Sequence, residues 1–295
     1  MGKTLKKKKT KNIGANIINA FITGFDIILT PLQKVLGVKG MPYFFVLPNL
    51  LIFGIFILYP MILNFVYAFT GGAQFFPDQR QYVGTDNFAR LFDCESILLP
   101  NTCTEDLFWR AVHNTVGFVI IQVSLMIVVS LVTALILNRD IKGRGFFRAV
   151  FFYPVLLSPI VVGLIWKWIL QESGVLNGIL FNIGLDRVPF LVNADWARFW
   201  VIIVSVWAAM GFYTLILLAG LQSIPTELYE AASIDGANAW LAFWNITMPL
   251  LMPTMVVVIV LSLIRAVQIF EVIFAFTGGG PGTATFYLVQ FIYNY

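Results

Sequence analysis

Apolar residues in this chain run in long stretches rather than alternating with polar ones. A helix needs roughly 20 apolar residues to cross about 30 Å of hydrocarbon. Five stretches meet that length, at about 43–69, 112–137, 149–170, 199–221 and 250–276. Backbone groups in lipid must bond within their own segment, so runs with so little alternation favour helices over a barrel. The expected fold class is all-α, a polytopic transmembrane helical bundle of five spans. Ahead of them, residues 13–38 place Ile17, Phe21, Phe25, Ile28, Leu32 and Val35 three or four apart. Asn16, Asn19, Thr23 and Asp26 fall on the other side, and Pro31 interrupts the stripe. This predicts an amphipathic helix too polar to span, either lying in the lipid interface or binding a partner. The chain thus divides into a basic tail at 1–12, that helix at 13–38 and a membrane domain at 43–295.

Composition sharpens the picture. The 295 residues are 59% hydrophobic and only 12% charged, with a mean hydropathy of +0.85. Soluble domains carry about 25% charged residues, so a soluble enzyme is excluded. The net charge of +4 matters less than its placement. Lys3, Lys6, Lys7, Lys8, Lys9 and Lys11 form a solvated tail that suits anionic lipid better than nucleic acid. Arg139, Lys142, Arg144 and Arg148 crowd the turn between the second and third spans. The positive-inside rule places both groups, and so the N-terminus, in the cytoplasm of a multi-pass cell-membrane protein. The segments 71–111 and 171–198 then lie outside. By alternation 222–248 is cytoplasmic, yet it has no Lys or Arg and carries Glu227, Glu230 and Asp235. Acids at that position suggest a protein partner rather than bare lipid. Cys94 and Cys103 share the first outer segment. In an oxidising compartment they would either close a small loop, contributing about 2–3 kcal/mol, or remain two thiols.

The stretch Ile224-Pro225-Thr226-Glu227-Leu228-Tyr229-Glu230-Ala231-Ala232-Ser233-Ile234-Asp235-Gly236-Ala237 is the most informative one. Pro225 suits a first helical position, and Glu227 complements the positive end of the helix dipole. Ala231 and Ala232 leave one face bare, and Gly236 permits the reversal that ends the helix. A second amphipathic turn carries Trp240, Phe243 and Ile246 before Pro249 and Pro253 open the fifth span. Glu230-Ala231-Ala232, Asp235-Gly236-Ala237 and the following Phe243, Ile246 and Pro249 resemble the EAA loop of ABC-importer permease subunits. Leu218-Ala219-Gly220-Leu221-Gln222-Ser223-Ile224-Pro225, Phe151-Phe152-Tyr153-Pro154, Ile165-Trp166-Lys167-Trp168, Gly174-Val175-Leu176-Asn177 and Thr277-Gly278-Gly279-Gly280-Pro281-Gly282 with Ala284-Thr285 resemble the carbohydrate-uptake branch. The likeness runs from about residue 43 to the end. It implies a sugar or polyol permease that pairs with a second homologous permease, receives solute from an extracytoplasmic binding protein and seats its EAA helix on one of two ATPase subunits. Glu227, Glu230, Ala231, Ala232, Asp235, Gly236 and Ala237 would be that coupling joint. The family core has six spans, so the resemblance also implies a C-terminally incomplete chain, short of about one 20–25-residue helix.

Charges within spans are expensive and therefore candidates for function. Arg265 and Gln268 are three apart on one face of the fifth span and suit a polyhydroxylated solute, although Arg265 equally suits pairing with a partner permease. Glu271 is expected on a different face, nearer the outer end. Trp207 and Tyr213 supply aromatic surface of the kind sugars stack on, or else anchor the interface. Lys167 is expected to snorkel. His113 stands alone without a Cys/His cluster, and no P-loop occurs, since Gly2-Lys3-Thr4 lacks the upstream glycine. No metal, cofactor or catalytic triad is expected, and hydrolysis would belong to partner chains. A non-sugar importer permease is the nearest alternative. A stand-alone secondary transporter would need paired relay charges, and a membrane enzyme would need clustered His, Asp or Ser.

Overall fold

A computed structural model describes residues 13–294; the lysine tail 1–12 lies outside the described residues, as do the side chains of residues 13–28 and of Val35. The chain divides into two units, residues 1–89 and 90–295. In the first, α1 (Ile13–Phe53) is broken at Gly37, close to where the expected amphipathic helix ends. A π-helical turn (Gly54–Leu58) and α2 (Tyr59–Ala68) complete the first apolar crossing, Leu36–Ala68. Beyond it β1 (Thr70–Gly71) pairs antiparallel with β2 (Gln81–Tyr82). Arg80 staples this hairpin, donating to Thr70 Oγ1 at 3.1 Å and to the Gln74 carbonyl at 2.9 Å. A short α3 (Asp86–Leu91) carries the boundary between the units.

The second unit opens with Cys94 and Cys103 joined in a disulfide. Thr104 donates to Asp93 at 2.7 Å across the same loop, and Arg90 pairs with Glu105 at 3.1 Å. Helices follow in the order α4 (Asp106–Asn138), α5 (Arg144–Phe152), α6 (Pro159–Leu170), α7 (Val175–Asn182), α8 (Ala194–Gln222), α9 (Thr226–Ile234), α10 (Ala239–Ala242), α11 (Met248–Val267), α12 (Glu271–Phe276) and α13 (Leu288–Asn294). Four more stretches are long and apolar enough to cross a membrane: Asp106–Asn138, Pro159–Asn182, Ala194–Gln222 and Ala239–Val267.

Two of these differ from the expected spans. The third, expected as one helix over 149–170, leaves α-helical geometry after Phe152, passes through a 3₁₀ turn at Tyr153–Leu156 and restarts at Pro159. Pro154 and Pro159 supply no N–H, so neither can continue a helix ladder. The fifth, expected over 250–276, starts earlier, because α10 and a π-helical turn (Phe243–Thr247) run straight into α11. It also stops earlier, at Val267, with Gln268–Phe270 outside any helix. No Gly or Pro forces that break. Tertiary contact accounts for it: α12 folds back on α6, and Gly163 of α6 faces the Val272 carbonyl and Ala275 so closely that an added Cβ would lie 2.6 Å and 2.8 Å from them.

Packing follows from the apolar faces. Met126, Leu137, Met210, Leu217, Leu251 and Val258 knit α4, α8 and α11 into one buried cluster. A second cluster gathers Phe118, Val162, Val201, Ile273 and Phe276 from α4, α6, α8 and α12. The glycine-rich loop after α12 is held by side chains from the helices. Asn114 donates to the Thr283 and Phe286 carbonyls at 2.7 and 3.0 Å, Arg198 to Ala284 at 3.2 Å, and Gln290 to Gly278 at 2.9 Å.

Overpacking a close helix contact costs about 1–3 kcal/mol. Gly163→Val should therefore lower the thermal midpoint of the detergent-purified protein. Gly117→Ala, where nothing lies within 4 Å of the new carbon, should leave it unchanged. Equal midpoints for the two variants would refute the tight α6–α12 seam.

Candidate functional site

Both helix breaks open onto the same space. A cavity of about 520 Å³ lies among α4, the 3₁₀ turn after α5, α6, α8, the end of α11 and the start of α12. Pro154, Val155 and Leu157, where the backbone is not α-helical, form one wall with Pro159 at the start of α6. Gln268 and Glu271 flank the other break. Arg265, one turn below on α11, joins them in the lining. Because the chain leaves the α11 axis at Gln268, Glu271 turns into the same cavity as Arg265 and Gln268. This corrects the expectation that it lies on a separate face. Arg265, Gln268 and Glu271 are all exposed, and neither charge has an ion-pair partner among the described residues.

Tyr213 and Phe212 of α8 also line the cavity, with their rings 5.3 Å apart in an edge-to-face arrangement. Trp207 does not. It packs on Trp166 at 5.5 Å within the aromatic cluster that includes Trp200 and Phe190. Lys167 of α6 is exposed and outside the lining. His113 bonds through Nδ1 to the Trp109 carbonyl at 2.7 Å and lines a smaller space of about 170 Å³ with Arg198 and Tyr287. Among the described residues no group of three His, Cys, Asp or Glu could hold a metal ion.

The cavity contains two polar side chains that sequence reasoning passed over. Gln122 of α4 is 6% exposed, and its Oε1 has no hydrogen-bond partner. Ser205 of α8 donates to the Val201 carbonyl at 2.6 Å, which leaves its oxygen free to accept. A buried acceptor without a donor costs about 1–3 kcal/mol, which is tolerable where a polar ligand or water completes it. The available signal was a lone amide in the middle of an uncharged apolar run. Together the lining offers a guanidinium, a carboxylate, two amides, two hydroxyls and an aromatic face. That set can hydrogen-bond a polyhydroxylated molecule from several sides.

The second candidate feature is α9 with its flanks. Pro225 stands just before the helix rather than at its first position. Gly236 ends it in the left-handed region at φ 79°, where a side chain would be strained, and the Ala237 amide donates to the Ala232 carbonyl at 2.9 Å to seal the turn. Asn238 then caps α10 by accepting from the Leu241 amide at 2.9 Å. Glu227, Glu230, Ala231, Asp235 and Gly236 are exposed, while Ala232 and Ala237 are half-buried. Leu228, Ile234 and Trp240 are exposed beside the acids, Ile234 to 86%. An acidic surface set with bare apolar groups is typical of a protein-binding face. Tyr229 faces the other way, its hydroxyl 2.9 Å from that of Thr247. One hydrogen bond thus ties α9 to the start of the α11 crossing.

The chain resembles known proteins in both sequence and fold. The family described as binding-protein-dependent transport system inner membrane component matches residues 97–295. The trehalose/maltose transport system permease of Thermococcus litoralis is 37% identical over 86% of this chain and 82% of its own length. The lactose transport system permease of Rhizobium radiobacter is 32% identical over 89% and 85%. The arabinooligosaccharides transport system permease of Bacillus subtilis is 33% identical over 87% and 78%. Among solved structures, a bacterial ABC transporter involved in import of the acidic polysaccharide alginate superposes with a TM-score of 0.73 at 29% identity, covering 90% of this chain and 86% of that one. The same kind of transporter bound to a pentasaccharide-loaded periplasmic protein gives 0.71, also at 29% identity, covering 89% and 85%.

Proposed function

The chain belongs to the family of binding-protein-dependent transport system inner membrane components, and we propose that it forms, with a second homologous permease, the path for a sugar or related polyol. The observation that carries this reading is the cavity between broken helices, with Gln122 buried and unpartnered in its wall. In that path Arg265, Gln268, Glu271, Tyr213 and Gln122 bond solute hydroxyls, and Phe212 offers a ring face. One cation balances one anion, which favours an uncharged saccharide over an acidic one. The names of the relatives, which concern trehalose, maltose, lactose and arabinooligosaccharides, support the same substrate class.

The N-terminus and α9 face the cytoplasm in this reading, and an extracytoplasmic binding protein delivers solute to the opposite side. Glu227, Glu230, Ala231, Ala232, Asp235, Gly236 and Ala237 seat α9 in a groove on one of two ATPase subunits. Closure of the ATPases pushes α9, and the Tyr229–Thr247 bond carries that push into α11 and so to Arg265 at its far end. Hydrolysis takes place on the partner chains. A permease for a non-sugar solute is disfavoured by the aromatic and amide content of the cavity.

Two measurements test this. Glu230→Lys and Gly236→Pro should abolish co-purification with the paired ATPase and stop transport; intact assembly and uptake would remove α9 from the joint. Charged hydrogen bonds contribute about 1.5–3 kcal/mol and neutral ones about 0.5–1.5. Arg265→Ala should accordingly raise the solute concentration for half-maximal ATPase stimulation by about tenfold or more, and Gln122→Leu by about threefold to tenfold. Unchanged values for both would move the solute site elsewhere.

A further inference from the structure

One polar contact outside the cavity lies close in sequence to both functional features. Helix α5 is amphipathic, with Phe146, Phe147 and Val150 exposed. Arg144 and Arg148, one turn apart, reach instead toward the last residue of α8, Gln222. With its amide oriented to suit them, the Gln222 carbonyl accepts from Nη2 of both arginines at 2.9 Å each. The Nε atoms of both arginines are buried and have no acceptor among the described residues. The acid near them is Asp140, 3.8 Å from Arg144 and fully exposed, where an ion pair contributes little. Two like charges thus converge on one neutral oxygen of a residue that is itself exposed.

What adjoins the contact on each side gives it meaning. Three residues after Gln222 stands Pro225, just before α9. Six residues after Arg148 stands Pro154, the first of the cavity-wall residues in the 3₁₀ turn. Between them Phe151 packs against the cluster of Met210, Leu217 and Leu251. A short, firmly bonded route therefore runs from the base of α9, through Gln222 to α5, and into the Pro154–Pro159 wall. The Tyr229–Thr247 bond reaches the facing wall, at Arg265, by way of α11.

We propose that Gln222 is a positioning residue whose grip on Arg144 and Arg148 transmits movement of α9 to the proline wall of the cavity. The proposal rests on the reading of α9 as the ATPase joint. A displacement of α9 then moves two walls of the cavity at once, one through α11 and one through α5. Gln222 touches neither solute nor ATPase in this scheme; it sets how faithfully the two are linked.

The test uses the complete reconstituted transporter and compares the parent with Gln222→Leu, Gln222→Glu and the double variant Arg144→Met/Arg148→Met. The readouts are co-purification with the ATPase, basal hydrolysis, and the solute-dependent increment together with solute imported per ATP. Changes within a coupling route typically alter linkage by up to about thirtyfold. Gln222→Leu and the double variant should assemble, keep basal hydrolysis and lose the solute-dependent increment by roughly tenfold. Gln222→Glu should retain it, because a carboxylate accepts from both guanidiniums. A parent-level increment in Gln222→Leu overturns the proposal, as does equal loss in Gln222→Glu. Failure of all variants to assemble also overturns it, making the contact a structural one. Failure of the parent itself to co-purify with the ATPase refutes the reading of α9 as the joint, and this proposal with it.

Discussion

In hydrocarbon, a backbone amide or carbonyl that leaves its helix has no water to bond, so irregular backbone survives only where protein or a wet cavity covers it. That constraint organises this molecule. Among its departures from regular helix, those at Tyr153–Ser158 and Gln268–Phe270 face the same space of about 520 Å³. The breaks and the cavity depend on one another. Without the polar space the exposed backbone would be untenable, and without the breaks Glu271 and the Pro154 wall would not reach it. Gly163 holds the arrangement in place, letting α12 lie against α6 at a distance no larger residue allows.

The same logic separates the two ends of the domain. Around the cavity, polar groups are left with bonding capacity to spare: Gln122, Tyr213, Arg265 and Glu271 lack strong partners among the described residues. Around α9 the bonds are closed and short. Tyr229 meets Thr247, Asn238 caps α10, and Ala237 seals the helix end on Ala232. The two ends thus differ in character, an interior with bonding capacity to spare and a closely bonded α9. Acids and bare apolar groups occupy the exposed face of α9.

Much of this was legible in the residues. Long apolar runs predict helical crossings because burying some 20 apolar side chains outweighs local preferences, and all five crossings are present. Helix α9 itself was legible because Pro225 and Gly236 punctuate it chemically. The break at Gln268–Phe270 was not, since those residues are competent helix formers and only the contact with α6 diverts them. Glu271 was accordingly assigned to the wrong face. Gln122 escaped for a different reason. Attention to charge passes over a neutral amide, whose significance emerges only when burial and the missing donor are known. Trp207 illustrates the reverse, an aromatic residue that suits a sugar platform in type but packs on Trp166.

The shortness of α6 has a further meaning. Twelve residues rise about 18 Å, under the roughly 30 Å of a bilayer core, so the crossing Pro159–Asn182 needs α7 as well. Exposed Tyr153 precedes it and exposed Trp168 stands near its far end, and such aromatics settle at the interface. The stretch Pro159–Asn182, which is long and apolar enough to cross, is thus made of two short helices, α6 and α7. The wall from Pro154 to Pro159 therefore leads into a segmented crossing rather than a single rod.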